Sequence, residues 1–151
     1  GVRHSMPADE RDTVLSIRSM CAAVTGRGLR ETHVPTLSGL KVADNYPSGR
    51  ERAARTRVAM LHDRFRQIVR TRVKHVSWSA PTFAKIYVNN NRLLGTYPGA
   101  TGVKTGYTHR AGPCLVASAT RNGTSLIAVV LDSPDMYADA KRLLDLGFAS
   151  L

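Results

Sequence analysis

The chain has 151 residues, a mass of 16.5 kDa and 42% hydrophobic residues, enough for one globular domain with its own core and too apolar for a disordered segment. Basic residues number 22 against 11 acidic ones, so the chain carries +11 and favours anionic partners. The longest apolar run, Leu126 to Leu131, is far too short to span a membrane, and Cys21 and Cys114 make neither a disulfide framework nor a metal site. No metal or cofactor is expected.

Residues 1–10 read as an irregular lead-in with no leader-peptide pattern, and a start on Gly1 rather than Met reads as a trimmed or recombinant piece. Val14, Ile17, Cys21 and Val24 fall at helical spacing, with Gly26 and Gly28 as stops. Residues 29–47 form a long connection punctuated by Pro35, Gly39 and Pro47. Ser48 and Glu51 make a capping-box signature for a helix whose apolar stripe is Ala54, Val58 and Leu61, and a second helix after Asp63 continues it with Phe65 and Ile68. Between Arg50 and Lys74 stand eight arginines and one lysine against Glu51 and Asp63.

Val73 to Trp78 and Phe83 to Val88 alternate as a strand pair around Ser79-Ala80-Pro81. A loop from Asn89 then leads to Gly102, where the central feature begins. Gly102 to Thr108 is a strand, residues 109–113 a turn, and Cys114 to Arg121 a second strand. Asn122-Gly123 signals a tight primed turn, since both positions tolerate positive φ, and Thr124 to Leu131 is a third strand. After it, Ser133 caps and Pro134 starts a final helix with Met136, Ala140, Leu143, Leu144 and Phe148 on its buried face. The fold class is therefore α+β, an antiparallel three-stranded meander covered by a C-terminal helix, with a small helical part before it. Residues 1–151 read as a single domain, 1–75 helical and 76–151 carrying the sheet.

The first meander strand carries Lys104-Thr105-Gly106. Lys104 supplies a compact positive charge and Thr105 a short donor for a carboxylate, while Gly106 lets another backbone approach. Alone the triplet also fits an edge strand guarded by a lysine. The whole run from Pro98 to Gly123 decides between these. With Thr124 to Phe148, and with weaker echoes in GLRETHVPTLSG, RFRQIVRT and VNNNRLLG, it resembles the C-terminal part of serine-type D-alanyl-D-alanine carboxypeptidases, the low-molecular-mass penicillin-binding proteins of the β-lactamase/transpeptidase-like superfamily.

That family uses S-x-x-K, S-x-N and K-T-G in chain order, and K-T-G is the one securely present. The resemblance implies an incomplete form of the fold, a truncated site, an extracytoplasmic setting in the cell wall or periplasm, and a ligand that is a peptidoglycan D-Ala-D-Ala peptide or a β-lactam. Lys104 and Thr105 would hold its carboxylate, and Thr108 would add a hydroxyl. The Tyr107 N–H would be one oxyanion donor, and the ligand would lie along the strand as an added strand. Ser38 and Lys41 match S-x-x-K, but Gly39 between them and Pro35 upstream place them in a loop at the wrong point of the chain, so they are a decoy. Tyr87-Val88-Asn89 resembles a Y-x-N variant of the second motif only by coincidence. His109 sits in a turn with no orienting acid.

With the nucleophile missing, the chain alone is expected to bind without acylating. The competing readings are a carboxylate-binding relic and a basic module attracted to anionic polymers or membrane surfaces. Specific nucleic-acid reading is not expected, because no such motif is present and aromatics are few. The edge of Thr124 to Leu131 is expected to pair with itself or with a partner strand.

Overall fold

A computed structural model of the chain describes residues 48–79 and 82–151. The chain divides into two compact units, Gly1–Glu51 and Arg52–Leu151, and the architecture below is essentially that of the second. Ser38, Lys41, Cys21, the expected helix around Val14 to Val24 and the long connection all lie outside the described residues.

Helix α1 spans Gly49–Ala59, and the Glu51 N–H donates to Ser48 Oγ at 3.3 Å, one half of the expected capping box. Helix α2 spans Asp63–Arg70. Leu61 and Ile68, expected in the apolar stripe, are instead exposed, at 74% and 63%. The inward residues of α2 are Phe65 and Val69, one turn apart, and both are half-buried. Strands β1 (Val73–Ser79) and β2 (Thr82–Val88) pair antiparallel from Val73 opposite Val88 to Ser79 opposite Thr82, forming a two-stranded sheet of their own.

The second sheet is the expected meander, in the order β3 (Ala100–Thr108), β4 (Gly112–Arg121), β5 (Thr124–Val130). Asn122 and Gly123 take φ of 49° and 80°, the left-handed pair that a primed turn needs. Strand β3 starts two residues before the expected Gly102, and its register shifts between Ala100 and Gly102. At that irregularity Gly102 has φ +149°, and a Cβ there would lie 2.9 Å from Val69 Cγ2. Only glycine lets α2 close down on the strand at this point.

Helix α3 spans Met136–Ala149 and covers one face of the sheet. Its N-cap is Asp135, whose carboxylate accepts from the Ala138 N–H at 3.0 Å. Ser133, expected in that role, turns its hydroxyl to Asp139 Oδ2 at 2.6 Å instead. Period two divides the sheet's side chains sharply. Leu115, Ala117 and Ala119 of β4, with Ala128 and Val130 of β5, meet Ala140 and Leu144 of α3 in the core, and Met136 and Phe148 extend the helical contact. Leu143, also expected there, is 47% exposed, since the packed stripe runs 136, 140, 144, 148. The loop before β3 is tied to α3 by the Tyr97 hydroxyl, which donates to Asp145 Oδ1 at 2.7 Å. Arg121 ion-pairs with the same carboxylate at 3.2 Å and lies over the rings of Tyr97 and Phe148. Burial, followed by this hydrogen bond, pushes the Tyr97 hydroxyl up to about 12.

A candidate carboxylate-binding strand

Strand β3 is an edge of its sheet, so one side of its backbone carries no ladder among the described residues. Lys104 is exposed and Thr105 half-buried. The Lys104 ammonium donates to the Thr105 carbonyl oxygen, folding over its own strand, and an ammonium has further protons to donate. A Cβ on Gly106 would meet no atom within 4 Å, so the strand is open to close approach here.

Tyr107 is 65% exposed, and its ring meets that of His109 edge-on with centroids 5.9 Å apart. Its register partner is Pro113, which has no N–H to exchange. Such a pair belongs to the non-hydrogen-bonded kind, in which N–H and C=O groups point away from the neighbouring strand. Thr108 has a turn-holding task, because its hydroxyl oxygen accepts from the Ala111 N–H at 3.0 Å. The hydroxyl proton is left for another partner. His109 is exposed in that turn, with the Tyr107 ring as its described contact.

Lys104, Thr105 and Gly106 line a groove of about 360 Å³ shared with α1, where Arg52 and Arg55 complete the polar lining with Thr56. Among the described residues the lining holds no carboxylate, and three cationic residues border one small volume. The Arg52 Nε is buried without a hydrogen-bond partner among the described residues, a donor suited to an acceptor entering the groove. Sequence reasoning counted Arg52 and Arg55 as part of a charged helix and did not place them beside K-T-G. No local pattern carries that signal, since the two segments meet only through the fold. Cys114 also lines the groove, as a half-buried free thiol donating to the Ala111 carbonyl at 3.3 Å.

The Tyr87-Val88-Asn89 lookalike has a structural use. The Asn89 amide donates to the carbonyls of Val69 and Thr71, at 3.3 and 3.1 Å, and so pins the end of β2 to α2. Among the described residues no cluster of three His, Cys, Asp or Glu side chains could hold a metal, and no helix is long and apolar enough to cross a membrane.

A family model described as D-alanyl-D-alanine carboxypeptidase matches residues 15–135. The chain belongs to this family. Its match to the D-alanyl-D-alanine carboxypeptidase of Streptomyces sp. strain K15 is 35% identical over 144 residues, covering 88% of this chain and 48% of that protein. With the carboxypeptidase DacF of Bacillus subtilis it shares 32% identity over 81% of this chain and 32% of the relative. An alanine variant of the Streptomyces K15 DD-transpeptidase superposes with a TM-score of 0.88 at 32% identity, covering 97% of this chain and 59% of that structure. The α+β architecture of the chain is therefore that of the DD-peptidase fold, and the chain spans about half the length of the curated relatives it matches or less.

Proposed function

We propose that this chain carries the carboxylate-binding half of a D-alanyl-D-alanine carboxypeptidase site. The whole activity would be removal of the terminal D-alanine from peptidoglycan stem peptides through a serine acyl-enzyme, outside the cytoplasm. One observation carries the reading: among the described residues K-T-G lies on an open edge strand whose groove is lined by Lys104, Arg52 and Arg55 and by no acid. A terminal carboxylate is drawn to such a groove, where the Lys104 ammonium and the Thr105 hydroxyl grip it with charge-assisted hydrogen bonds. The peptide would then extend along β3 as an added strand, with Gly106 giving it room. Tyr107, opposite Pro113, turns its N–H to the same edge, where it can stabilise a developing oxyanion.

Acylation needs a nucleophile with an adjacent base. The described residues around Lys104 offer no activated serine. In the sequence Ser38-Gly39-Leu40-Lys41 is the single S-x-x-K match, and no S-x-N occurs. In this reading the 151 residues hold ligand reversibly and do not acylate. Intact-mass spectrometry after incubation with a penicillin tests this directly. No adduct is expected. A gain of one acyl mass, mapped to Ser38 or any other residue, would overturn the binding-only reading while leaving the family intact.

The edge of β5 is the proposed site of self-association, because that strand has a neighbour on one side only among the described residues. Light scattering at rising concentration should show a dimer, and a monomer throughout would remove the proposal.

A further inference from the structure

A second cavity lies between α1, α2 and the sheet face that turns away from α3, and it shares no lining residue with the K-T-G groove. Its volume of about 670 Å³ suits a small ligand. Arg57 reaches it from α1, and Arg66 and Arg70 from α2. Arg66 is fixed in place, donating to the Met60 carbonyl at 2.7 Å and pairing with Asp63, which lies outside the lining. Arg57 and Arg70 are exposed and have no ion-pair or hydrogen-bond partner among the described residues.

Among the described residues no Asp or Glu lines this cavity, and none occurs in the chain between Asp63 and Asp132. Asp135, Asp139 and Asp145 belong to the cap and body of α3, on the other side of the sheet. The positive field at the cavity therefore has little to oppose it. Its floor adds hydroxyls. Thr101 bonds Ser118 and Thr120 bonds Ser125, both at 2.7 Å, and each pair uses one hydroxyl proton on that bond and keeps another. The walls are aliphatic, with Ala53 and Ala54 from α1, Leu61 after it and Ile127 from β5. Leu61 is 74% exposed, so most of its apolar surface is free to be covered.

We propose that this cavity binds an aliphatic phosphate or diphosphate. The Arg57 and Arg70 guanidiniums would take the phosphate oxygens in forked, charge-assisted hydrogen bonds, and the hydrocarbon body would cover Leu61 and Ile127. A nucleotide is disfavoured, because no aromatic side chain lines the cavity to stack on a base. A bare polyanion gives no reason for the aliphatic walls, and a neutral apolar ligand gives none for three arginines. An aliphatic phosphate accounts for both.

Geranyl diphosphate is the probe, with inorganic pyrophosphate and geraniol as its two halves. Calorimetric titration of the 151-residue chain should show saturable binding of geranyl diphosphate, and each half alone should bind on the order of tenfold or more weakly. Arg57→Ala/Arg70→Ala should weaken the binding by on the order of tenfold or more. Leu61→Ser should weaken it by about fivefold or more. All three residues are exposed, and circular dichroism checks that the variants fold. Amide NMR shifts should gather at residues 53–61 and 118–127 and leave 103–108 unmoved. No saturable binding overturns the proposal, as does unchanged affinity in the arginine variant. Pyrophosphate binding as tightly as geranyl diphosphate also overturns it, because that is the general attraction of anions to a chain of +11. Shifts centred on 103–108 would assign the ligand to the K-T-G groove and overturn it too.

Discussion

The β3–β4–β5 sheet presents two faces built from alternate residues of the same strands. On one, Leu115, Ala117, Ala119, Ala128 and Val130 close against α3, with residual exposures of 0 to 7%. On the other, Lys104, Val116, Ser118, Thr120, Ser125 and Ile127 front α1 and α2 across two cavities, of about 670 and 360 Å³. Hydroxyls pair across the strands there, Thr101 with Ser118 and Thr120 with Ser125, both at 2.7 Å. The packed face holds the strands in place, and the open face mixes Val116 and Ile127 with hydroxyls that hydrogen-bond and with the charge of Lys104. A site on an edge strand needs both, since Lys104 is only as well positioned as the strand that the other face holds.

The largest effect is expected on the packed face. Leu144→Ala should cost about 2–5 kcal/mol in a urea unfolding titration, because a fully buried leucine leaves a cavity that its neighbours fill only in part. Ile127→Ala, half-buried beside the larger cavity, should cost clearly less. Equal losses would erase the distinction between the faces.

Gly102→Ala should come next, with a loss of about 1–3 kcal/mol. The added methyl meets Val69 Cγ2 in a backbone conformation that side chains avoid. A neutral result would show that α2 does not bear on β3.

Tyr97→Phe should cost about 1 kcal/mol at neutral pH through the lost hydrogen bond to Asp145. It should also change the alkaline limb. The Tyr97 pKa rises from 10.0 unfolded to about 12 folded, so its contribution is full below pH 10 and is lost as pH rises from 10 through about 12. The difference in midpoint between wild type and Tyr97→Phe should therefore shrink over that interval. A difference that stays constant would place the tyrosine proton elsewhere.

Much of this was legible locally. Asn122-Gly123 announced its turn because left-handed φ is a property of those two residues, and K-T-G marked a candidate strand because its chemistry is contiguous. Stripes were less legible. Leu143 and Leu144, or Ile68 and Val69, are adjacent residues of similar hydropathy, and one step of 100° decides which meets the sheet. Ser133 and Asp135 are both good caps, and the choice fell to Asp135 once the Ser133 hydroxyl found Asp139. Arg52 and Arg55 were invisible as groove residues, because nothing near them in the chain refers to β3.

Lys104→Ala should have the smallest effect on stability, within about 0.5 kcal/mol, as an exposed residue on an edge strand. Its effect on ligand is the central claim, and amide NMR of the labelled chain titrated with a peptide ending in D-Ala-D-Ala reads it most directly. The account predicts shifts concentrated at residues 103–108 and around Arg52, abolished by Lys104→Ala. Shifts elsewhere, or an unchanged titration of the variant, would contradict it.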